Sequence, residues 1–461
     1  MTTENATISA LPAVPSMDEL RQLFRGKIIV DGDVDFEQER KIWNGMIDRR
    51  PAMIAQCLDT ADIQAAVKFA RKNNLLVSVR GGGHNISGNA VCDAGIMIDI
   101  SKMKAVKVDA DKLQAVVEMG ATWGDFDKAA QEYGLATTGG IITTTGVAGL
   151  TLGGGVGWLV RKHGLSCDNL IEAKVVTAEG HIVTASVTEN PDLLWGLRGG
   201  SGNFGIVSSM TMRLHKVNTV VGGMILHTRD KAVDVFKFYR DFVKTAPNEL
   251  TLYVGLLTSP DGIPVVALIG CYSGDLEKAE DTLAPVRNFG TPIADLMQPM
   301  PYVQMQALLD GGFPHGNRYY WKSGFLNEVK DEAIELLVNE MAAVPSPYSA
   351  SILEYYGGAS MVEPEGGAAY PHREAQFDLV IGANWLDKAD DEINIGWARK
   401  AWAAMQPFTN HRVYVNALGV EGEDRVREAY GQNYQRLLEL KKKYDPTNFF
   451  RMNQNINPDN S

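Results

Sequence analysis

The stretch Leu75-Leu-Val-Ser-Val-Arg-Gly-Gly-Gly-His-Asn85 decides the reading of this chain. A short apolar run of strand character, 75–79, leads straight into three glycines and a histidine. Glycine is needed where backbone takes positive φ or closely approaches a ligand. Successive exposed N–H groups make a concavity that favours anions. His84 therefore sits in a glycine nest at a strand end, a setting uncommon for a structural or surface histidine. Two more glycine-rich segments lie downstream. One is 146–157, with Gly149, Gly153, Gly154 and Gly155; the other is Gly199-Gly-Ser-Gly-Asn-Phe-Gly205. The latter matches GxGxxG at Gly200, Gly202 and Gly205. That dinucleotide fingerprint requires a strand before it and a helix after it, and here a helix precedes and an alternating run, 206–214, follows. Gly83 to Gly88 has Walker spacing, but Asn89 and Ala90 stand where Lys and Ser/Thr belong. A Rossmann site and a P-loop are thus both excluded, and a nucleotide must be held in some other way.

Composition narrows the class. The 461 residues suggest two or three domains, and 45% apolar with 22% charged residues is ordinary globular usage. A net charge of −12 makes nucleic acid an unsuitable partner, since that needs a basic face. The four cysteines are widely spaced without a CxxC pair, which points to buried reduced thiols rather than a zinc or disulfide framework. Residues 1–16 carry no basic and apolar regions of a signal peptide, and no apolar run reaches the roughly 18 residues of a membrane span. The expectation is a cytoplasmic protein without membrane association. Its oligomeric state is not readable.

Periodicity outlines the rest. Short elements are expected at 18–24 (helix), 27–30 and 51–57 (strands), with Asp59 capping a helix over 61–72. Strands 95–100, 106–109, 114–118, 174–177, 181–186 and 205–214 follow, with helices opening at Thr122 in a capping box and at Pro191. Beyond 215 the texture changes. Amphipathic helices at 231–245, 276–288, 330–343 and 390–405 alternate with strands at 249–257, 265–271, 352–356 and 376–381. This predicts an antiparallel sheet covered by helices. One last helix, 424–443, precedes a polar tail.

The glycine motifs, together with Thr143-Thr-Thr-Gly-Val-Ala-Gly-Leu-Thr-Leu-Gly-Gly-Gly155, Arg161-Lys-His-Gly-Leu165 and Gly202-Asn-Phe-Gly-Ile-Val207, resemble the FAD-binding domain of the vanillyl-alcohol oxidase superfamily. Within it the berberine-bridge-enzyme-like oxidases, which include bacterial sugar and hydroxynicotine oxidases, are most similar. The C-terminal Asn433-Tyr434, Tyr444-Asp-Pro446 and Asn453-Gln-Asn-Ile456 resemble that group's closing signature. The resemblance covers about 40–215 and 412–457. It implies an α+β fold: a two-part FAD-binding domain with an inserted substrate domain. The expected division is a tail and short helix at 1–25, the FAD domain at 26–215, the substrate domain at 216–411, and a returning segment at 412–461. His84 matches the histidine bonded covalently to FAD. The position of a second-link cysteine is Ile142, so a single link is implied. Cofactor contacts are implied for Arg80, Gly81, Gly82, Gly83, Asn85, Gly88, Thr143, Thr144, Thr145, Gly146, Gly149, Gly153, Gly205, Ile206, Val207, Asn453 and Asn455. No metal is implied.

The chemistry implied is FAD-dependent oxidation: hydride passes from a CH–OH or CH–N carbon of a small polar or aromatic substrate to flavin N5, with molecular oxygen as acceptor. Such transfer needs a base in hydrogen-bond reach of the O–H or N–H. Glu354 and Tyr356 alternate on one strand and so share a face. Tyr319, Tyr320 and Lys322 form a polar aromatic cluster suited to a ring or sugar, and His372 and Arg373 are further pocket or interdomain candidates. Ala417, after Asn416, replaces a tyrosine common in sugar-oxidising relatives. Two other readings remain open at this stage: a noncovalent FAD reductase fed by NADPH, and a non-catalytic FAD-fold binding protein.

Overall fold

The computed structural model describes residues 16–374 and 376–459. The tail expected over 1–15 lies outside the described residues. Local signals act as read. Asp59 accepts a hydrogen bond from the Asp62 amide (3.0 Å) and starts the helix Thr60–Lys72. That helix turns Ile63, Ala66, Val67 and Ala70 inward at helical spacing. It connects Met53–Gln56 to Val77–Arg80, both of which run parallel to Ile96–Asp99 lying between them. Lys27–Val30 closes this four-stranded sheet with an antiparallel edge. Residues of Met53–Gln56 and Ile96–Asp99 are all buried, as expected of strands covered on both faces.

A second sheet is antiparallel, in the order Val106–Asp109, Gln114–Glu118, Ile206–Arg213, Leu170–Val176 and Ile182–Ala185. Thr122 and Asp125 form the expected capping box of Trp123–Gln131, each holding the other's backbone N–H.

The middle of the chain builds one eight-stranded antiparallel sheet. Its central members are Pro264–Tyr272, Leu250–Thr258, Ala350–Tyr356 and Gln376–Trp385, with Arg318–Leu326 at one edge and Thr219–Thr228 towards the other. Helices Ala232–Phe242, Asp331–Ala342 and Asp391–Met405 bury their apolar faces on one side of it. Leu353, Phe377, Leu379, Ile381 and Ala383 point to that helical side and fill its core. By the two-residue period of a strand, their neighbours Ile352, Glu354, Asp378, Val380 and Gly382 face the other way. That second face is the wall of the site described below.

After residue 412 the chain returns to the first core, where Val413, Val415, Leu418, Tyr430, Leu437 and Ile456 pack with residues from 20 to 214. The single final helix expected over 424–443 is two helices, Glu423–Tyr430 and Tyr434–Tyr444. Gly431, at φ +48°, breaks it. The architecture is α+β, one body made from both chain ends and a second from the middle. All four cysteines are free and buried.

Candidate active site

Strand Val77–Arg80 delivers the glycine loop to the rim of a cavity. The loop lies against a second one so closely that side chains are excluded from both. A Cβ on Gly82 would stand 2.3 Å from the Gly146 nitrogen, and one on Gly146 would stand 2.6 Å from the Gly82 nitrogen. The same contact carries Thr144 and Thr145 to His84. Thr144 Oγ1 is 3.0 Å from His84 Nε2, and Thr145 Oγ1 is 3.4 Å from Nδ1. Trp43 stacks on the imidazole with centroids 4.9 Å apart, and Tyr319 stacks on the other face of Trp43 at 3.7 Å. Burial, with a smaller contribution from His315, drives the His84 pKa down to about 3, so the ring is neutral near pH 7 and one of its nitrogens bears a lone pair.

His84 opens into a cavity of about 310 Å³. Gly81, Gly82, Gly83, Asn85, Thr145, Gly146 and Gly149 line it, and so does the acidic group of Glu354, Tyr356 and Asp378. Trp43, Phe313 and Trp321, in edge-to-face contact through Trp321, add an aromatic surface. A second cavity of about 180 Å³ is bounded by Gly205, Ile206, Val207, Asn453 and Gln454. Gly81, Asn85, Gly149 and Asn416 line both, so the two chambers adjoin and share a wall. A Cβ on Gly149 would meet nothing within 4 Å, which leaves open space along that wall. Asn453 Oδ1 and Asn455 Oδ1 are buried without a partner among the described residues. Adjoining chambers lined by glycines, with the orphaned Asn453 oxygen in the second, fit a dinucleotide.

Several expected contacts do not line either chamber. Arg80 is committed to a buried ion pair: Nη2 lies 2.7 Å from Asp99 Oδ2 and 3.0 Å from Glu39 Oε2. The parallel register that opposes Arg80 to Asp99 puts it there. Gly88 packs on Ile47, and Gly153 makes room for Asn416, whose amide donates to the Leu150 carbonyl at 3.0 Å. Thr143 donates its backbone N–H to Asp310 at 2.8 Å, tying the loop to the middle body. Thr144 and Asn455 also lie off the lining; Thr144 reaches the site through His84.

The acidic group holds Glu354 and Tyr356 together, as their spacing suggested. Tyr356 Oη is 2.9 Å from Glu354 Oε2. The unforeseen member is Asp378, opposite Glu354 in the antiparallel register and 3.0 Å from the same hydroxyl. Burial first, then Asp378, pushes the Glu354 pKa up to about 8, and burial pushes Asp378 up to about 7. Tyr320 and Lys322 need correction. Lys322 pairs with Glu421 at 3.0 Å and lies over the Tyr320 ring, which also receives Arg399. Strand alternation turns both away and gives the cavity Trp321 instead. Tyr319 serves the site indirectly, under Trp43. His372 bonds the carbonyls of Val413 and Ala429 and Arg373 pairs with Asp168 at 2.6 Å, so both are structural ties. Ile142 and Ala417 are on the cavity wall. Sequence reasoning missed Trp43 and Asp378, neither of which carries a local motif; Tyr414 and Asn416, which served there only to place Ala417, also line the cavity.

Two family models match the chain: an FAD binding domain over residues 51–186 and a berberine and berberine-like segment over 413–457. An FAD-linked oxidoreductase of Dictyostelium discoideum is 31% identical over 97% of this chain and 98% of its own. The chain belongs to the berberine-bridge-enzyme-like FAD-linked oxidoreductases. (R)-6-Hydroxynicotine oxidase of Paenarthrobacter nicotinovorans is likewise 31% identical, across 95% of this oxidoreductase and 98% of that enzyme. The crystal structure of 6-hydroxy-D-nicotine oxidase from Arthrobacter nicotinovorans superposes with a TM-score of 0.87 at 29% identity, covering 94% of this chain and 98% of the other. This oxidoreductase is therefore an enzyme whose first body is an FAD-binding domain completed by the chain's C-terminal segment. Among its described residues no helix is long and apolar enough to cross a membrane.

Proposed function

We propose that this enzyme oxidises a CH–OH or CH–N carbon of a small polar or aromatic molecule, with FAD joined covalently to His84 and molecular oxygen as the final electron acceptor. The supporting observation is that His84 and Glu354 line one cavity. When bound, FAD supplies the two-electron acceptor, and the protein supplies orientation and proton handling. Gly81 to Gly83 and Gly146 would approach the pyrophosphate, Ile206 and Val207 the adenosine, and Asn453 the ribityl and ring region; Asn455, off the lining, would support Asn453 from behind. The neutral, stacked imidazole of His84 is poised to form a bond to carbon. Ile142, on the wall where a second link would arise, has no sulfur to form one, so a single link is proposed.

Glu354 is the base that takes the O–H or N–H proton as the carbon loses its hydride equivalent. Tyr356 donates to that carboxylate and holds it in the cavity. Trp321, Phe313 and Trp43 enclose the substrate and exclude water. Each turnover removes two electrons and two protons from the substrate, and oxygen with those protons and electrons becomes hydrogen peroxide. We place the FAD domain at 26–215 and 412–461 and the substrate domain at 216–411, in keeping with the two apolar cores. Four buried free thiols support a reducing, cytoplasmic setting, which fractionation would check. The test is an anaerobic screen of alcohols and amines for bleaching of the oxidised holoenzyme, followed by air and a peroxide assay. A substrate that bleaches wild type and leaves Glu354→Gln coloured supports the reading. Bleaching by NADPH alone would overturn it.

A further inference from the structure

The hydroxyl of Tyr356 is asked to do two things at once. It lies 2.9 Å from Glu354 Oε2 and 3.0 Å from Asp378 Oδ2. A phenol has one proton to donate, and an ionised carboxylate only accepts. With both carboxyls ionised, one of these contacts would be an unsatisfied oxygen–oxygen approach. Glu354 and Asp378 are also cross-strand partners, where like charges oppose each other directly. Asp378 is 1% exposed and Glu354 half-buried, so water offers Asp378 little relief.

Nor does a cation offer any. The titratable groups that face the trio are phenols. Glu354 pushes Tyr239, Tyr253 and Tyr414 upward, and Asp378 does the same to Tyr370. Burial pushes all four upward, so they stay neutral. Ser323 lies beside Asp378 and carries no charge, and among the described residues no lysine, arginine or histidine acts on either carboxyl. The remaining way to satisfy the geometry is a proton.

We infer that Glu354, Tyr356 and Asp378 form one acid–base unit in which two carboxyls share a single proton, with Asp378 as the positioning residue acting through Tyr356. In one arrangement the Asp378 O–H donates to Tyr356, which donates to the Glu354 carboxylate. In the other the chain runs in reverse. Passing between them moves two protons along two hydrogen bonds and transfers the charge from one end to the other, with nothing gained or lost. The unit thus carries one negative charge, and Glu354 has a donor behind it whenever it is ionised. Upward shifts of both carboxyls, to about 8 and about 7, agree with a proton held near neutrality and belong to the pair rather than to either residue. Only the catalytic consequence rests on Glu354 being the base of the proposed oxidation; the proton count does not.

The count is made on oxidised holoenzyme without substrate, by infrared difference spectroscopy of the carboxylic-acid carbonyl band at pH 7. An amide in place of either acid can still donate to Tyr356. Asp378→Asn and Glu354→Gln should therefore each remove the same single acid, and the double variant should remove no more than that one. Asp127, buried elsewhere with its pKa raised to about 7, contributes equally to all samples and cancels. Loss of no band in Asp378→Asn, or of two acids in the double variant, would overturn the shared proton. With a substrate in hand, Asp378→Asn should keep at least about tenfold more kcat than Asp378→Leu, which cannot donate, at similar KM. Equal losses in kcat would reduce Asp378 to a packing residue and overturn its positioning role.

Discussion

Lys441 and Asp445 form an ion pair with both side chains 0% exposed, and its disruption is the sharpest test of how the chain's two ends are joined. Lys441 Nζ donates to Asp445 Oδ2 at 2.7 Å, to the Phe450 carbonyl at 2.8 Å and to the Asn203 carbonyl at 2.9 Å. It therefore ties the glycine loop around Gly202 to the segment that walls the second cavity. In Lys441→Met, of similar length, two buried carbonyls lose their donor and a buried carboxylate loses its countercharge. Breaking such a pair costs about 3–5 kcal/mol. Asp445 keeps the amides of Phe449 and Phe450 at 2.7 and 2.8 Å, which places the expectation at the lower end, about 3 kcal/mol. Adding Asp445→Asn removes the stranded charge and should recover about 1 kcal/mol or more, as a double-mutant cycle for contacting residues requires. Urea denaturation followed by tryptophan fluorescence, together with flavin content after expression, reads both effects. A loss under about 1 kcal/mol with full flavin content would refute the argument that this charge pair holds the arm in place.

Three further outcomes follow from the geometry. Gly82→Ala, whose Cβ would meet Gly146 backbone at 2.3 Å, should separate the two loops and abolish flavin incorporation while the middle body still folds; normal incorporation would show the loops to be independent. Trp43→Ala removes the rings' stack and the bond from Nε1 to the Phe313 carbonyl at 3.0 Å, and should cost about 3–5 kcal/mol and lower the flavin-bound fraction; an unchanged melting profile counts against it. The Glu354–Asp378 pair gives stability a pH slope. Both groups titrate higher in the folded chain than the usual carboxylate value near 4, so the folded state keeps protons that the unfolded state has released. Their contribution is whole below about pH 4 and falls as pH rises towards about 8, by about 1.4 kcal/mol per unit for each proton retained. Glu354→Gln should flatten that decline, and parallel wild-type and variant curves would contradict the shifts.

What the sequence disclosed was local. The Asp59 cap and the Thr122–Asp125 capping box depend on neighbours within a few residues, and each stands where its residues imply. The glycine loops could be read because a backbone-to-backbone approach allows no other residue. Long-range register was not legible. Asp378 meets Glu354 only because Ala350–Tyr356 pairs with Gln376–Trp385, and Trp43 meets His84 across 41 positions of chain. One residue of strand phase separates Trp321 in the cavity from Tyr320 and Lys322 outside it. Arg80 has the charge expected of a phosphate contact, but the facing strand supplies Asp99 first. The strand Thr219–Thr228 escaped notice because Gly222 and Gly223 interrupt its pattern; a Cβ on Gly222 would stand 2.3 Å from Met305 Sδ.

The central claim is that this enzyme holds FAD through His84 alone. The direct measurement is intact mass of purified protein beside a denaturing gel viewed under ultraviolet light, for wild type and His84→Ala. A fluorescent wild-type band and a mass gain of one FAD, both lost in His84→Ala, are expected. A dark wild-type band with flavin free in solution, or a variant that keeps its flavin bonded, would contradict it.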